Sequence, residues 1–131
     1  MSKEKFNIAV YGSLRNGLHN HSLIKDEKFL GMFETTPAFE MYSLGSYPGL
    51  KTDGSTPILM EVYEVDADTL ESVDALEGYS ENSEHNNFYD RIKISTPFGD
   101  AYTYIYVPSV TDADRVESGD WAEYYQTSKV N

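Results

Sequence analysis

Val10-Tyr11-Gly12-Ser13-Leu14-Arg15-Asn16-Gly17-Leu18-His19-Asn20-His21 is the end of a hydrophobic strand that runs straight into a turn of small residues. Phe6, Ile8 and Val10 alternate with polar or small neighbours, the period of a half-buried strand. Gly12 and Gly17 then bracket a segment free to curl tightly. A turn of this kind leaves backbone N–H groups unpaired, and fixed amide dipoles can cradle a carboxylate or an oxyanion. The plainer reading is a turn and nothing more, so the rest of the chain has to decide.

The 131 residues suit one domain, 1–131, because a second core of ordinary size would need more chain. A hydrophobic fraction of 40% with eleven tyrosines is enough for a packed interior and argues against disorder. Twenty-two acidic against ten basic residues give a net charge of −12, which opposes nucleic acid and anionic membranes and favours solubility. With no cysteine, disulfides, thiolate catalysis and zinc–thiolate sites are excluded, and any nucleophile is oxygen or nitrogen. The amino-terminal residues lack the apolar run of a secretory signal, and nowhere do about 18 apolar residues run together. The expectation is a cytoplasmic protein.

Working outward, His21 to Ile24 is long enough for one helical turn, and Lys28 to Phe39 reads as a strand that Pro37 ends or edges. Met41 to Leu44 is another short strand, and Gly45 to Leu50 is a turn cluster from which Tyr47 projects. Pro57 to Val65 is the best central strand, apolar and β-branched. The period then changes: Ala67, Leu70, Val73 and Leu76 recur every three residues, with Asp66 or Asp68 as N-cap, Glu71 placed to close a capping box on Asp68, and Gly78 as the stop. On this helix Glu77 lies only about 20° round the axis from Leu70, inside the apolar stripe. Either its carboxylate points at the core side, or the helix has frayed by residue 77 and leaves it in solvent. Asp74, nearer the edge of the stripe, is the rival acid.

Ser80 to Asn87 is polar, with Glu81, Glu84 and His85, and reads as an exposed loop able to act as a lid. Phe88 to Ser95 alternates, turns through Thr96 to Asp100 and returns as Ala101 to Val107, a hairpin. Tyr102, Tyr104 and Tyr106 share one face of the return strand, a stripe that ordinarily means packing. Trp121, Tyr124 and Tyr125 are spaced for a short docked helix.

Ser13 near His19 and His21 invites a serine-hydrolase reading, but there is no Gly-x-Ser-x-Gly elbow and no obvious acid to orient either histidine. The three histidines lack metal-ligand spacing, so no metal is expected, and no Gly-Lys-Ser/Thr follows the first glycines to hold a phosphate. What remains is a loop of amides and one inward carboxylate. That pairing suits intramolecular acyl transfer, in which a general base deprotonates an amine, the amine attacks a nearby carbonyl and the amides hold the oxyanion. Apolar surroundings and the helix C-terminus both raise the pKa of such a carboxylate.

Tyr11-Gly12-Ser13-Leu14-Arg15 with Gly17 and Asn20-His21, then Asp74-Ala75-Leu76-Glu77-Gly78, Phe88-Tyr89-Asp90-Arg91 and Gly119-Asp120-Trp121, together resemble the gamma-glutamylcyclotransferase-like family, including its gamma-glutamylamine cyclotransferase members. The likeness runs from about residue 6 to residue 125. Ser13 stands where threonine is common in that family, and the 80–87 loop is longer and more acidic than its usual link. The resemblance implies a small mixed α/β (α+β) fold with a compact mixed β-barrel and a few short helices. It implies that the Tyr11 to Leu14 loop binds the substrate's carboxylate, that Glu77 is the acid/base and that Tyr89 lines the cleft with its hydroxyl inward; Tyr47 is assigned to substrate binding with them. The expected reaction releases 5-oxoproline from a gamma-glutamyl amine or amino acid, a small-molecule substrate, with no cofactor. A non-catalytic module using the same cleft is the alternative, and oligomeric state is open.

Overall fold

The computed structural model describes residues 4–18, 20–45, 47–79, 89–111 and 114–129. Among these residues, seven strands and two α-helices make a mixed α/β architecture: β1 (Lys5–Val10), β2 (Lys28–Glu34), β3 (Phe39–Ser43), β4 (Pro48–Thr52), β5 (Leu59–Asp66), α1 (Ala67–Leu76), β6 (Tyr89–Thr96), β7 (Gly99–Tyr106) and α2 (Trp121–Lys129), with a 3₁₀ turn at His21–Leu23. Five strands form one sheet in the order β2-β5-β1-β7-β6, and β3 and β4 pair separately. β2 and β6 stay unpaired to each other as the two edges, so the implied barrel does not close. The β3–β4 hairpin packs instead through Phe39, Met41 and Leu50 against Ala9 and Tyr11.

The central strand is β1, antiparallel to β5 and parallel to β7. Both its faces are covered, and the alternation of its side chains divides the interior in two. Ile8 and Val10 join Tyr63, Val65, Leu70, Val73, Tyr89 and Tyr104 under α1. Ala9 and Tyr11 join Met41, Leu50, Met60, Val62 and Trp121 on the opposite face, beneath the β3–β4 hairpin and α2. Ile8, Met60, Val62, Val65 and Val73 are fully buried, each stabilising by about 1.5–3 kcal/mol relative to exposure.

The segment read as turn from Gly45 to Leu50 becomes strand from Pro48 on. Pro48 stands first in β4, opposite Ser43, where a missing N–H interrupts no ladder. Leu50 is fully buried, so side-chain burial outweighs the local turn preference. The hairpin turn is tighter than its composition suggests: Thr96 pairs with Gly99, leaving Pro97 and Phe98 as the loop.

Two features of connectivity place the site. Because β1 and β7 are parallel, the loop after Val10 leaves the sheet at the same end as Tyr104 and Tyr106. β5 ends beside Lys5, at the opposite end of β1, and α1 then spans about 15 Å at 1.5 Å per residue, enough to carry its C-terminus back to that loop.

Candidate active site

α1 is capped by Asp66, whose carboxylate accepts from the Thr69 N–H at 2.9 Å; Asp68 lies inside the first turn, where its charge meets the positive end of the helix dipole. At the other end Gly78 N–H donates to Ala75 O at 3.2 Å and Tyr79 N–H to Asp74 O at 2.9 Å, the two bonds of a Schellman motif. Gly78 has φ +70°, a conformation costly for any side chain with a Cβ, which is why glycine ends this helix. Glu77 is therefore the C-cap, with αR backbone and its N–H bonded to Val73 O at 3.0 Å. The helix end is hydrogen-bonded through the Glu77 N–H and Glu77 is partly buried, so the frayed, solvated alternative does not hold.

The loop after β1 is held from below by its own carbonyls. Gly12 O accepts from Arg15 N–H at 2.9 Å, Ser13 O from Asn20 N–H at 2.9 Å and Arg15 O from Leu18 N–H at 3.0 Å; His21 Nδ1 lies 2.8 Å from Leu14 O. The Asn20 amide donates to Ser13 Oγ at 2.7 Å. Among the described residues, the N–H groups of Gly12, Ser13 and Leu14 have no protein acceptor. An added Cβ on Gly12 would stand 2.8 Å from Pro48 Cδ, so a larger residue would push loop and β4 apart.

Arg15, only 5% exposed, anchors the loop. Its Nε donates to Glu61 Oε2 at 3.0 Å and its Nη1 to Asp120 Oδ1 at 2.9 Å; Glu61 Oε1 also accepts from Asn16 N–H and the Tyr63 hydroxyl. Asp120 Oδ1 in turn accepts from Glu123 N–H at 3.2 Å in the first turn of α2. A strand, a loop and a helix thus meet at one guanidinium whose fork suits two carboxylates. Sequence reasoning missed this network; its signal was Glu61, a charge inside the most apolar strand, which needs a buried partner.

Loop and helix end face one cavity of about 450 Å³. Glu77, Tyr11, Gly12, Ser13, Leu14, Tyr47 and Tyr89, all singled out in the sequence, line it; Asn20, Pro48, Tyr104 and Tyr106 do so as well and were not. Tyr104 and Tyr106 belong to the stripe read as packing. They do pack, and the parallel pairing of β1 and β7 places them, but not Tyr102, along the cavity as well. Tyr47 is 48% exposed and stands at the mouth. Tyr11 contributes backbone rather than hydroxyl, since its O–H donates to Tyr104 O at 2.7 Å. The Tyr89 hydroxyl likewise donates to Pro48 O at 2.8 Å, which leaves its oxygen an acceptor lone pair, and Tyr89 lines the cavity. The 80–87 loop and His19 lie outside the described residues. No group of three or more His, Cys, Asp or Glu able to hold a metal occurs among the described residues, and no helix there is long and apolar enough to cross a membrane.

Burial, reinforced by the negative charge of Asp74, pushes the Glu77 carboxyl up from its ordinary 4.5 to about 7. A carboxyl near neutrality exchanges protons in both directions, as a general acid/base must. Asp74, the rival, is bound instead: its Oδ2 lies 2.7 Å from Arg91 Nη1, and its Oδ1 accepts from the Tyr104 hydroxyl.

Residues 8–123 match the family described as "Gamma-glutamyl cyclotransferase, AIG2-like". This chain belongs to that family. A relative in Escherichia coli K12, the gamma-glutamylcyclotransferase family protein YtfP, is 37% identical over 116 residues, covering 88% of this chain and 96% of its own. Its solution structure superposes with a TM-score of 0.71 at 36% identity, over 92% and 99% of the two chains. A Niallia circulans relative named gamma-L-glutamyl-butirosin B gamma-glutamyl cyclotransferase is 30% identical over 120 residues, spanning 90% of this chain and 76% of that one. The crystal structure of uncharacterized protein PH0828 from Pyrococcus horikoshii is also similar, with a TM-score of 0.77 and 29% identity over 96% and 98% of the chains. The gamma-glutamylcyclotransferase-like fold and enzyme class expected from the four motifs are thus both found.

Proposed function

We propose that this enzyme releases 5-oxoproline from a gamma-glutamyl amine or gamma-glutamyl amino acid, with Glu77 as general acid/base. The observation that carries the reading is one cavity with a carboxyl titrating near 7 on one side and the acceptor-free amides of Gly12, Ser13 and Leu14 on the other. The substrate's α-amine attacks its own γ-carbonyl carbon, forming the ring C–N bond while the carbonyl oxygen becomes an oxyanion. Glu77 takes a proton from the attacking nitrogen and returns one to the departing nitrogen, and the original amide C–N bond breaks. The products are 5-oxoproline and the free amine. Proton and electron pair are conserved within substrate and Glu77, so no cofactor is required.

The loop amides take the substrate's carboxylate and the oxyanion as it develops, at fixed positions that need no reorganisation. Tyr89 and Tyr104 present rings that hold the glutamyl chain in the folded form from which five-membered closure proceeds. The leaving group points to the mouth at Tyr47. The Niallia relative's name, with butirosin as its leaving group, supports a mouth that accepts sizeable amines.

The test is 5-oxoproline release from a panel of gamma-glutamyl amines and amino acids, each paired with its α-N-acetyl derivative. Release from at least one parent compound and from no acetylated one is expected, because acetylation removes the nucleophile. Equal release from an acetylated substrate would overturn the intramolecular route, and release from none would leave the cavity as a binding site.

A further inference from the structure

Asp74 in the last turn of α1 and Glu77, its C-cap with αR backbone, are three residues apart and so neighbours on the helix surface, about 5–6 Å apart at Cβ. Among the described residues, Asp74 is tied to the protein on both carboxylate oxygens and Glu77 is not. Asp74 receives Arg91 Nη1 on Oδ2 and the Tyr104 hydroxyl on Oδ1. Arg91 is itself fixed, its guanidinium carbon 4.4 Å from the Tyr102 ring centre and 5.1 Å from that of Tyr79. Tyr79 is the residue whose N–H closes the Schellman motif next to Glu77. The hairpin β6–β7 thereby grips the end of α1 from which Glu77 projects. We infer that Asp74, clamped by Arg91 and Tyr104, is a positioning group for Glu77: a fixed negative charge that makes Glu77, and not Asp74, the carboxyl that exchanges protons in the cavity.

Chemistry supports the division of labour. A carboxylate held by a guanidinium and a phenol stays ionised, whereas one in a desolvated cavity beside that fixed charge holds its proton to higher pH. Among the described residues, the other titratable groups that line the cavity are phenols: Tyr11 from the loop, Tyr47 at the mouth, Tyr89 of β6, and Tyr104 and Tyr106 of β7. Burial raises Tyr11, Tyr89 and Tyr104 well above ten, so they carry no charge in the working range. Asp74, with Arg91 behind it, is accordingly the ionised pair on which the cavity carboxyl depends. This deepens the catalytic reading and rests on it for the role of Glu77.

The experiment reads Glu77 directly, without substrate. The full chain is labelled with [δ-13C]glutamate, the Glu77 carboxyl signal is identified by its loss in Glu77→Gln, and its pH titration is followed by NMR. Asp74→Asn is expected to lower the midpoint by about one pH unit, and Arg91→Gln, which removes the guanidinium charge from Asp74 Oδ2, to raise it. Arg91→Lys, which keeps the cation, is expected to stay near the parent. Opposite shifts in the two charge-removing variants are a signature that a merely structural role would not give. Should Asp74→Asn fail to fold, the Arg91→Gln and Arg91→Lys pair decides alone. An unmoved midpoint, or shifts of the same sign, overturns the inference. If the midpoints move as expected while no gamma-glutamyl compound yields 5-oxoproline, the coupling stands and the catalytic reading falls.

Discussion

Glu77→Gln tests the central residue by stability as well as by rate. The folded-state pKa of about 7 lies above the ordinary 4.5, so the folded protein holds a proton that the unfolded chain has lost. Stability therefore falls as pH rises through that window. The penalty is absent below about pH 4, where both states are protonated, and complete above pH 7. At about 1.4 kcal/mol per pH unit the loss approaches about 3 kcal/mol. Glutamine keeps the shape and does not titrate, so the variant escapes the penalty. For 131 residues an entropy of unfolding near 2.1 cal/mol/K per residue converts this to about 10 °C. Thermal melts of both proteins from pH 4 to 8 are expected to diverge progressively, the variant becoming the more stable by up to that amount. Carboxylates far from Glu77 are common to both and cancel, and the charge of Asp74 is already included in the raised pKa of Glu77. In parallel, 5-oxoproline release is expected to drop about 10² to 10⁴-fold. A melting difference that is flat with pH would mean that Glu77 titrates as in water, and the general-base argument would lose its footing whatever the rate showed.

The remaining expectations concern the frame of the cavity. Arg15→Met leaves Glu61 and Asp120 without their shared cation and is expected to cost about 3–5 kcal/mol in denaturant unfolding; a loss under 1 kcal/mol would show that the network relaxes into water. Tyr11→Phe removes a buried O–H bond to Tyr104 O and is expected to cost about 1 kcal/mol with kcat nearly unchanged, so a large fall in kcat would make that hydroxyl part of the chemistry. Tyr89→Phe frees Pro48 O and is expected to lower Tm and raise KM together, because the same bond holds the cavity wall; altered KM at unchanged Tm would mean the hydroxyl meets substrate instead. Gly12→Ala, with its Cβ driven against Pro48, is expected to abolish protection of the loop by a small carboxylate in hydrogen exchange while the chain still folds, and wild-type protection in the variant would move the anion site elsewhere.

Local chemistry was readable wherever one segment sufficed. The strand-to-turn break at Gly12, the helix that buries Leu70 and Val73, the stop at Gly78 and the docking of Trp121 follow from period and backbone freedom, and the structure has each of them, while Leu76 of the same spacing is exposed. The four motifs were enough for family and enzyme class. The long-range pairings were not legible. Nothing local says that β7 runs parallel to β1, yet that pairing makes Tyr104 and Tyr106 cavity walls as well as packing. Nor does spacing reveal that Asp74 is held by Arg91, seventeen residues on, or that Glu61, Arg15 and Asp120 share one buried cluster. Pro48 and Gly49 read as turn because their local preferences are for turns, and they became strand because pairing with β3 and burial beside Leu50 outweighed those preferences. The sequence by itself determined which backbone each segment prefers and which residues can do acid–base chemistry. Which carboxyl is free to do it was decided only by tertiary structure, because ionisation depends on charges and solvent exclusion supplied by segments far apart in the chain.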